Sequence, residues 1–113
     1  YTYMVDFLAW LFPILTTFPK SQRMVIVQAI SNSALRCLRL IVSARSARLP
    51  RRKANLLFEL NVELEVLRKL LTVAHTIGFL NTKRTENGMK QLLTLGKMCG
   101  GWLKRYEVQN INH

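Results

Sequence analysis

Residues 57–74, LFELNVELEVLRKLLTVA, decide the fold. Leu57, Leu60, Leu64, Leu67, Leu71 and Ala74 return at alternating steps of three and four, which keeps them on one side of an α-helix and makes that side a packing seam. The spacing predicts a helix from about Arg51 to Ile77, with Gly78 as its C-cap. Upstream, Leu49-Pro50 ends the preceding helix, because a residue before proline is pushed out of the α region while proline itself fits the first turn of a new helix. That preceding helix is predicted from an N-cap at Ser21 to about Arg48, with Val27, Ile30, Ala34, Cys37, Leu38 and Ile41 inward. A first helix, Thr2 to Thr17, carries Met4, Leu8, Leu11 and Leu15 on one stripe, is bent by Pro13 and stops before Phe18-Pro19. Downstream, Asn81 or Thr82 caps a fourth helix with Met89, Leu92, Leu95, Cys99 and Trp102 on its apolar side. Gly100-Gly101 marks where that helix ends or loosens, and Gly96, Gly100 and Gly101 read as points of close helix packing. No segment shows sustained period-two alternation. The expectation is an all-α, up-and-down four-helix bundle over 1–106, because connections of a few residues make successive helices antiparallel neighbours. A loosely anchored tail over 107–113 follows.

Of 113 residues half are apolar, enough for one core and too few for two. Seventeen Lys and Arg against six Asp and Glu give a net charge of +11, an excess that points to a polyanionic partner. Cys37 and Cys99 fall inside apolar helical patterns and read as small hydrophobes in a reducing compartment. The longest apolar run, Phe7 to Leu15, is about half of what a bilayer-spanning helix needs and Pro13 interrupts it, so no membrane segment is expected. Nothing near Tyr1 resembles a cleavable signal.

The basic residues are concentrated. Between Asp6 and Glu59 the chain has no acid, yet Lys20, Arg23, Arg36, Arg39, Arg45, Arg48, Arg51, Arg52 and Lys53 all lie there. On the second helix Asn32, Arg36, Arg39 and Ser43 share a polar stripe away from the apolar side, so both arginines point outward. Arg48, Arg51, Arg52 and Lys53 crowd the Leu49-Pro50 turn, where repulsion costs stability unless a counter-charge is supplied. Lys83, Lys90, Lys97 and Lys104 recur every seven residues on the fourth helix, with Asn87, Thr94 and Gly101 between them. A row of this kind matches successive phosphates and releases their counterions, giving sequence-tolerant, salt-dependent binding.

No catalytic constellation accompanies the charge. His75 stands alone on its helix, sharing a side with Asn61 and Arg68, and His113 lies in the tail. Glu63 and Glu65 point to different sides, with Glu65 placed to pair with Lys69. Two cysteines and two histidines lack any short metal-ligand spacing. Neither a catalytic residue, a metal site nor a cofactor is expected. Trp10 and Trp102 read as core or subunit-interface anchors ahead of base-stacking platforms.

Several stretches together carry a family likeness: Trp10-Leu11-Phe12-Pro13 with Phe18-Pro19-Lys20-Ser21-Gln22-Arg23, then Ala54-Asn55-Leu56 through Leu64-Glu65-Val66-Leu67-Arg68 to Ala74-His75, and Gly100-Gly101-Trp102-Leu103-Lys104. In order and spacing they resemble the accessory variability determinant (Avd) proteins of diversity-generating retroelements, over nearly the whole chain. The resemblance implies a non-enzymatic four-helix bundle assembled as a homopentameric barrel. It also implies binding to the element's reverse transcriptase and, through basic patches, to nucleic acid during mutagenic retrohoming, in the cytoplasm of a bacterial or phage-infected cell. Template RNA is the implied ligand, with DNA and an RNA/DNA hybrid left open. By the same likeness Lys20, Arg23, Arg68 and Lys104 match basic positions of the family. The second helix departs from the pattern: the family often has acids among its leucines, whereas here Arg23, Arg36, Arg39, Arg45 and Arg48 are its only charges. Two alternatives stand beside this reading. One is the four-helix-bundle group encoded in ribosomal RNA intervening sequences, which resembles Phe18-Pro19-Lys20-Ser21-Gln22. The other is a purely structural oligomer, joined through Tyr1, Tyr3, Phe7 and Trp102.

Overall fold

A computed structural model of the chain describes residues 2–112, with side chains at all of them except 22–24 and 107–112. Among the described residues there are four α-helices and no strand: α1 Thr2–Leu15, α2 Gln28–Ser46, α3 Pro50–Thr76 and α4 Thr82–Asn112. The leucine seam of α3 is why they assemble. Leu57, Leu60, Leu64, Leu67, Leu71 and Ala74 are all buried, with α2 on one side of α3 and α4 on the other, while α1 lies against α4 and the start of α2. From α1, Met4, Leu8, Leu11 and Leu15 enter this core as expected, joined by Phe7 and Ile14.

The connections follow from their residues. Leu49 is extended (φ −84°, ψ 132°) ahead of Pro50, which occupies the first turn of α3. At the other end Gly78 takes φ 87°, and the amides of Gly78 and Phe79 donate to the carbonyls of His75 and Ala74, a Schellman closure that a left-handed glycine allows. Asn81 then caps α4, its Oδ1 accepting from the Arg84 amide at 2.8 Å. The start of α2 differs from the sequence expectation. Ser21 does not cap a regular α-helix: a 3-10 turn at Lys20–Gln22 and a π-helical turn at Arg23–Val27 run into α2 without a side-chain cap. α2 also stops at Ser46 rather than Arg48, where Ala47 turns extended.

Two further expectations change. α4 continues through Gly100-Gly101 to Asn112 instead of ending there. The closely packed glycine is Gly88, where an added Cβ would stand 3.0 Å from Leu71 and 3.1 Å from Trp10, whereas Gly100 and Gly101 face open space. Gly88 thus lets Trp10 of α1 settle onto α4. Val25–Ser46 is long and apolar enough to cross a bilayer by length and composition, a match that a search for an uninterrupted apolar run passes over. In the bundle Ile30, Ala34, Cys37 and Ile41 of that stretch are buried in the core, and Arg36 and Arg39 are exposed on it.

Cys37 and Cys99 are free, buried thiols, and Cys99 donates across the interface to the Leu57 carbonyl at 3.1 Å. Burial pushes the Cys37 thiol up to about 12, with the Glu63 carboxylate adding to the effect, and burial pushes Cys99 to about 11, against an ordinary 9.0. Because the folded values lie above the unfolded one, stability is full below pH 9.0 and declines as pH rises toward 11 and 12. Unfolding free energy should fall by up to about 1.4 kcal/mol per pH unit for each thiol in that window, and Cys37→Ala combined with Cys99→Ala should flatten the slope in denaturant titrations. Replacing Gly100 or Gly101 by Ala, in a helix interior with open space around it, should raise stability by about 0.5–1 kcal/mol each, read from the same titrations.

Candidate nucleic-acid interface

The lysine row is the most regular feature of the surface. Lys83, Lys90, Lys97 and Lys104 are all exposed, as are Asn87, Thr94 and Gly101 between them. Twenty-one residues of α-helix separate the first lysine from the last, about 32 Å. None of the four makes an ion pair among the described residues. Beside the row, Tyr3 and Asp6 of α1 join Asn87, Lys90, Gln91 and Thr94 around a depression of about 320 Å³.

On α2 the arginines do face outward, but they are not equivalent. Arg36 Nε meets Glu63 Oε1 of α3 at 3.0 Å, and the buried Ser33 hydroxyl donates to Glu63 Oε2 at 2.7 Å. Both carboxylate oxygens are engaged, so Glu63 fastens α2 to α3. The Arg36 side chain is still 57% exposed and, with Asn32, Leu35 and Arg39, lines a shallow depression of about 300 Å³. Arg39 is exposed and makes no ion pair among the described residues.

The turn between α2 and α3 divides its cations by role. Arg48, Arg51 and Arg52 are exposed. Lys53 bends back to donate from Nζ to the carbonyls of Ala44 (2.9 Å) and Arg45 (3.3 Å), satisfying the last carbonyls of α2 where a cation also suits the helix dipole. The same ammonium stands 5.7 Å from the ring centroid of Tyr106 on α4. Around it Ala44, Arg45, Lys53, Leu57, Trp102 and Tyr106 line an open groove of about 300 Å³. This contact brings the C-terminal half of α4, with Lys104 and Arg105, to the basic turn.

The remaining candidates scatter. Arg68 is ion-paired with Glu65, which also meets Lys69 at 3.5 Å, and these partners hold the Glu65 carboxyl below its usual range. Lys20 is exposed in the 3-10 turn; the side chain of Arg23 lies outside the described residues. His75 is partly buried, its Nδ1 2.9 Å from the Leu80 carbonyl, so it braces the loop into α4. Trp10 packs against Phe7 at 5.9 Å between ring centroids, and Phe7 is fully buried, which removes it from any intersubunit patch.

Residues 2–106 match the bAvd-like family. The chain belongs to that family. No curated protein matches it. The match agrees with the likeness carried by the Trp10, Phe18, Ala54, Leu64 and Gly100 stretches, and it spans every cation named above.

In this bAvd-like chain sequence reasoning missed the Glu63 clamp and the groove at Lys53. A signal for the first was present: Ser33 and Arg36 are one helical turn apart on α2, and Glu63 flanks the leucine seam, three residues after Leu60 and four before Leu67. The second had none, because Lys53 and Tyr106 are joined only by the tertiary fold. Glu63→Ala should destabilise the chain by about 1–3 kcal/mol, since it strips a buried hydroxyl of its acceptor. Glu65→Ala, at an exposed pair, should cost about 0–1 kcal/mol, both measured by denaturant unfolding.

Proposed function

We propose that this bAvd-like chain is the non-enzymatic accessory protein of a diversity-generating retroelement, acting in the cytoplasm of a bacterial or phage-infected cell. It binds the element's reverse transcriptase and holds nucleic acid, template RNA first, beside it during mutagenic retrohoming. The observation that carries this reading is the row of four exposed, unpaired lysines on α4, about 32 Å long, within the family-matched residues. The basic turn at Arg48, Arg51 and Arg52 and the outward Arg36 and Arg39 add to it; Lys20, Arg23, Lys53 and Arg68 complete the proposed binding set. Family membership supports the reverse transcriptase as partner and favours the retroelement group over the ribosomal intervening-sequence proteins.

Assembly draws on a different surface. Phe58, Val62, Val66 and Val73 lie across α3 from the leucine seam, at about 100° per residue, and are 42–58% exposed. Leu35 and Val42 are exposed on the outer side of α2. Apolar stripes of this extent support contacts between copies. A contact joining the α3 stripe of one copy to the α2 stripe of the next is head to tail, so it ends only by closing into a ring; five copies is the number that the family resemblance implies. The same stripes favour one second reading, a structural oligomer with no nucleic-acid role.

Exchanging Lys83, Lys90, Lys97 and Lys104 together for Gln separates the two. On the nucleic-acid reading, affinity for single-stranded RNA falls with added salt, and the quadruple variant lowers the slope of log K against log salt by about three. Unchanged, salt-insensitive behaviour in both proteins, with the oligomer intact by sedimentation, assigns the chain to the structural reading.

A further inference from the structure

α1 has 14 residues and α4 has 31. Tyr3 and Asp6 of α1 stand beside Asn87, Lys90, Gln91 and Thr94 of α4, and Trp10 of α1 sits on Gly88. Further along α4 an open groove is lined from α2, α3 and α4. There Trp102 and Tyr106, one turn apart on α4, stand half-buried over Ala44 and Leu57 in the cavity of about 300 Å³. We infer that this groove receives an unpaired base of a single-stranded nucleic acid, stacked on Trp102 and Tyr106 while its phosphates meet Arg48, Arg51 and Arg52. The inference rests on the nucleic-acid reading above and names a subsite within it.

Three observations carry it. The side chains present flat aromatic and apolar surface, which takes any base because every base has a π-face. Lys53 is fixed at the wall by two carbonyls and by the Tyr106 ring, so the charge there needs no further ordering when a ligand arrives. Finally, the charged residues lining the groove and on the adjoining turn are all basic. A second copy of the chain would bring the same +11 excess to that surface, and a protein partner would have to supply acids. A base inside a duplex hides its faces in the stack, so only an unpaired one presents them.

The test uses the full chain with Trp10→Phe, which leaves Trp102 as the only tryptophan. The probes are a short oligouridylate, the matching oligothymidylate, an abasic oligomer of equal length and a duplex. The two base-bearing single strands should quench Trp102 emission, and the abasic oligomer and the duplex should not. Quenching by oligouridylate alone supports the same subsite with the 2′-hydroxyl as a further determinant. In the chain with both tryptophans, Tyr106→Ala should weaken oligouridylate about tenfold by fluorescence anisotropy, while its affinity for the abasic oligomer and its salt slope stay unchanged. If oligouridylate binds in a salt-dependent way but no tighter than the abasic oligomer, and Trp102 does not respond, the inference is overturned while the nucleic-acid reading stands. If no oligomer binds, both fall. A Trp102 response to protein concentration alone puts a second copy in the groove and likewise overturns the inference.

Discussion

Everything in this bundle depends on one face of one helix being buried along its length by two neighbours. The α3 seam is continuous from Leu57 to Ala74, and a helix of 27 residues is stabilised by such packing more than by its own propensity. α2 brings Ile30, Ala34, Cys37 and Ile41 to that seam and α4 brings Leu92, Leu95 and Cys99, so each is positioned by what it places against α3. Their polar residues are thereby oriented as well, which is how Arg36 and Arg39 on one side and the α4 lysines on the other come to face outward.

The electrostatics follow the same division. The ion pairs of Arg36, Arg68 and Lys69 run to two glutamates of α3, Glu63 and Glu65. The central helix supplies the counter-charge, and Arg39 on α2 and the lysine row on α4 make no ion pair among the described residues. Glu63 joins two elements and is largely buried, so it contributes to tertiary stability. Glu65 pairs within its own helix at the surface, where screening leaves such contacts weak. At the α2–α3 turn the negative end of one helix dipole meets the positive end of the next, and the two largely offset each other. The field there is set by Arg48, Arg51 and Arg52.

The parts of this architecture that were legible in the sequence are those written as local periodicity or local capping. The α3 seam, the α1 stripe, Pro50 at a helix start, Gly78 at a helix end and the Asn81 cap each depend on residues within a few positions. What was not legible is tertiary or energetic. Gly88 and Gly100 are the same residue in similar helical context, and only the neighbour across the interface separates a tight contact from open space. The π-helical turn at Arg23–Val27 has no sequence pattern of its own in the place where Ser21 looked like a cap. The surface cations were found by spacing, but whether one is free (Arg39), clamped (Arg36) or turned back on the chain (Lys53) depends on partners up to tens of residues away.

The seven-residue interval of the α4 lysines has a geometric result. Seven residues fall about 20° short of two full turns of a straight α-helix, so the row does not run parallel to the axis. Over three intervals it winds through about 60° in a left-handed sense, tracing a shallow spiral. A stiff, straight rod laid on this helix can stay in register with only part of the row, whereas a chain whose backbone bends from one unit to the next can follow the spiral from Lys83 to Lys104.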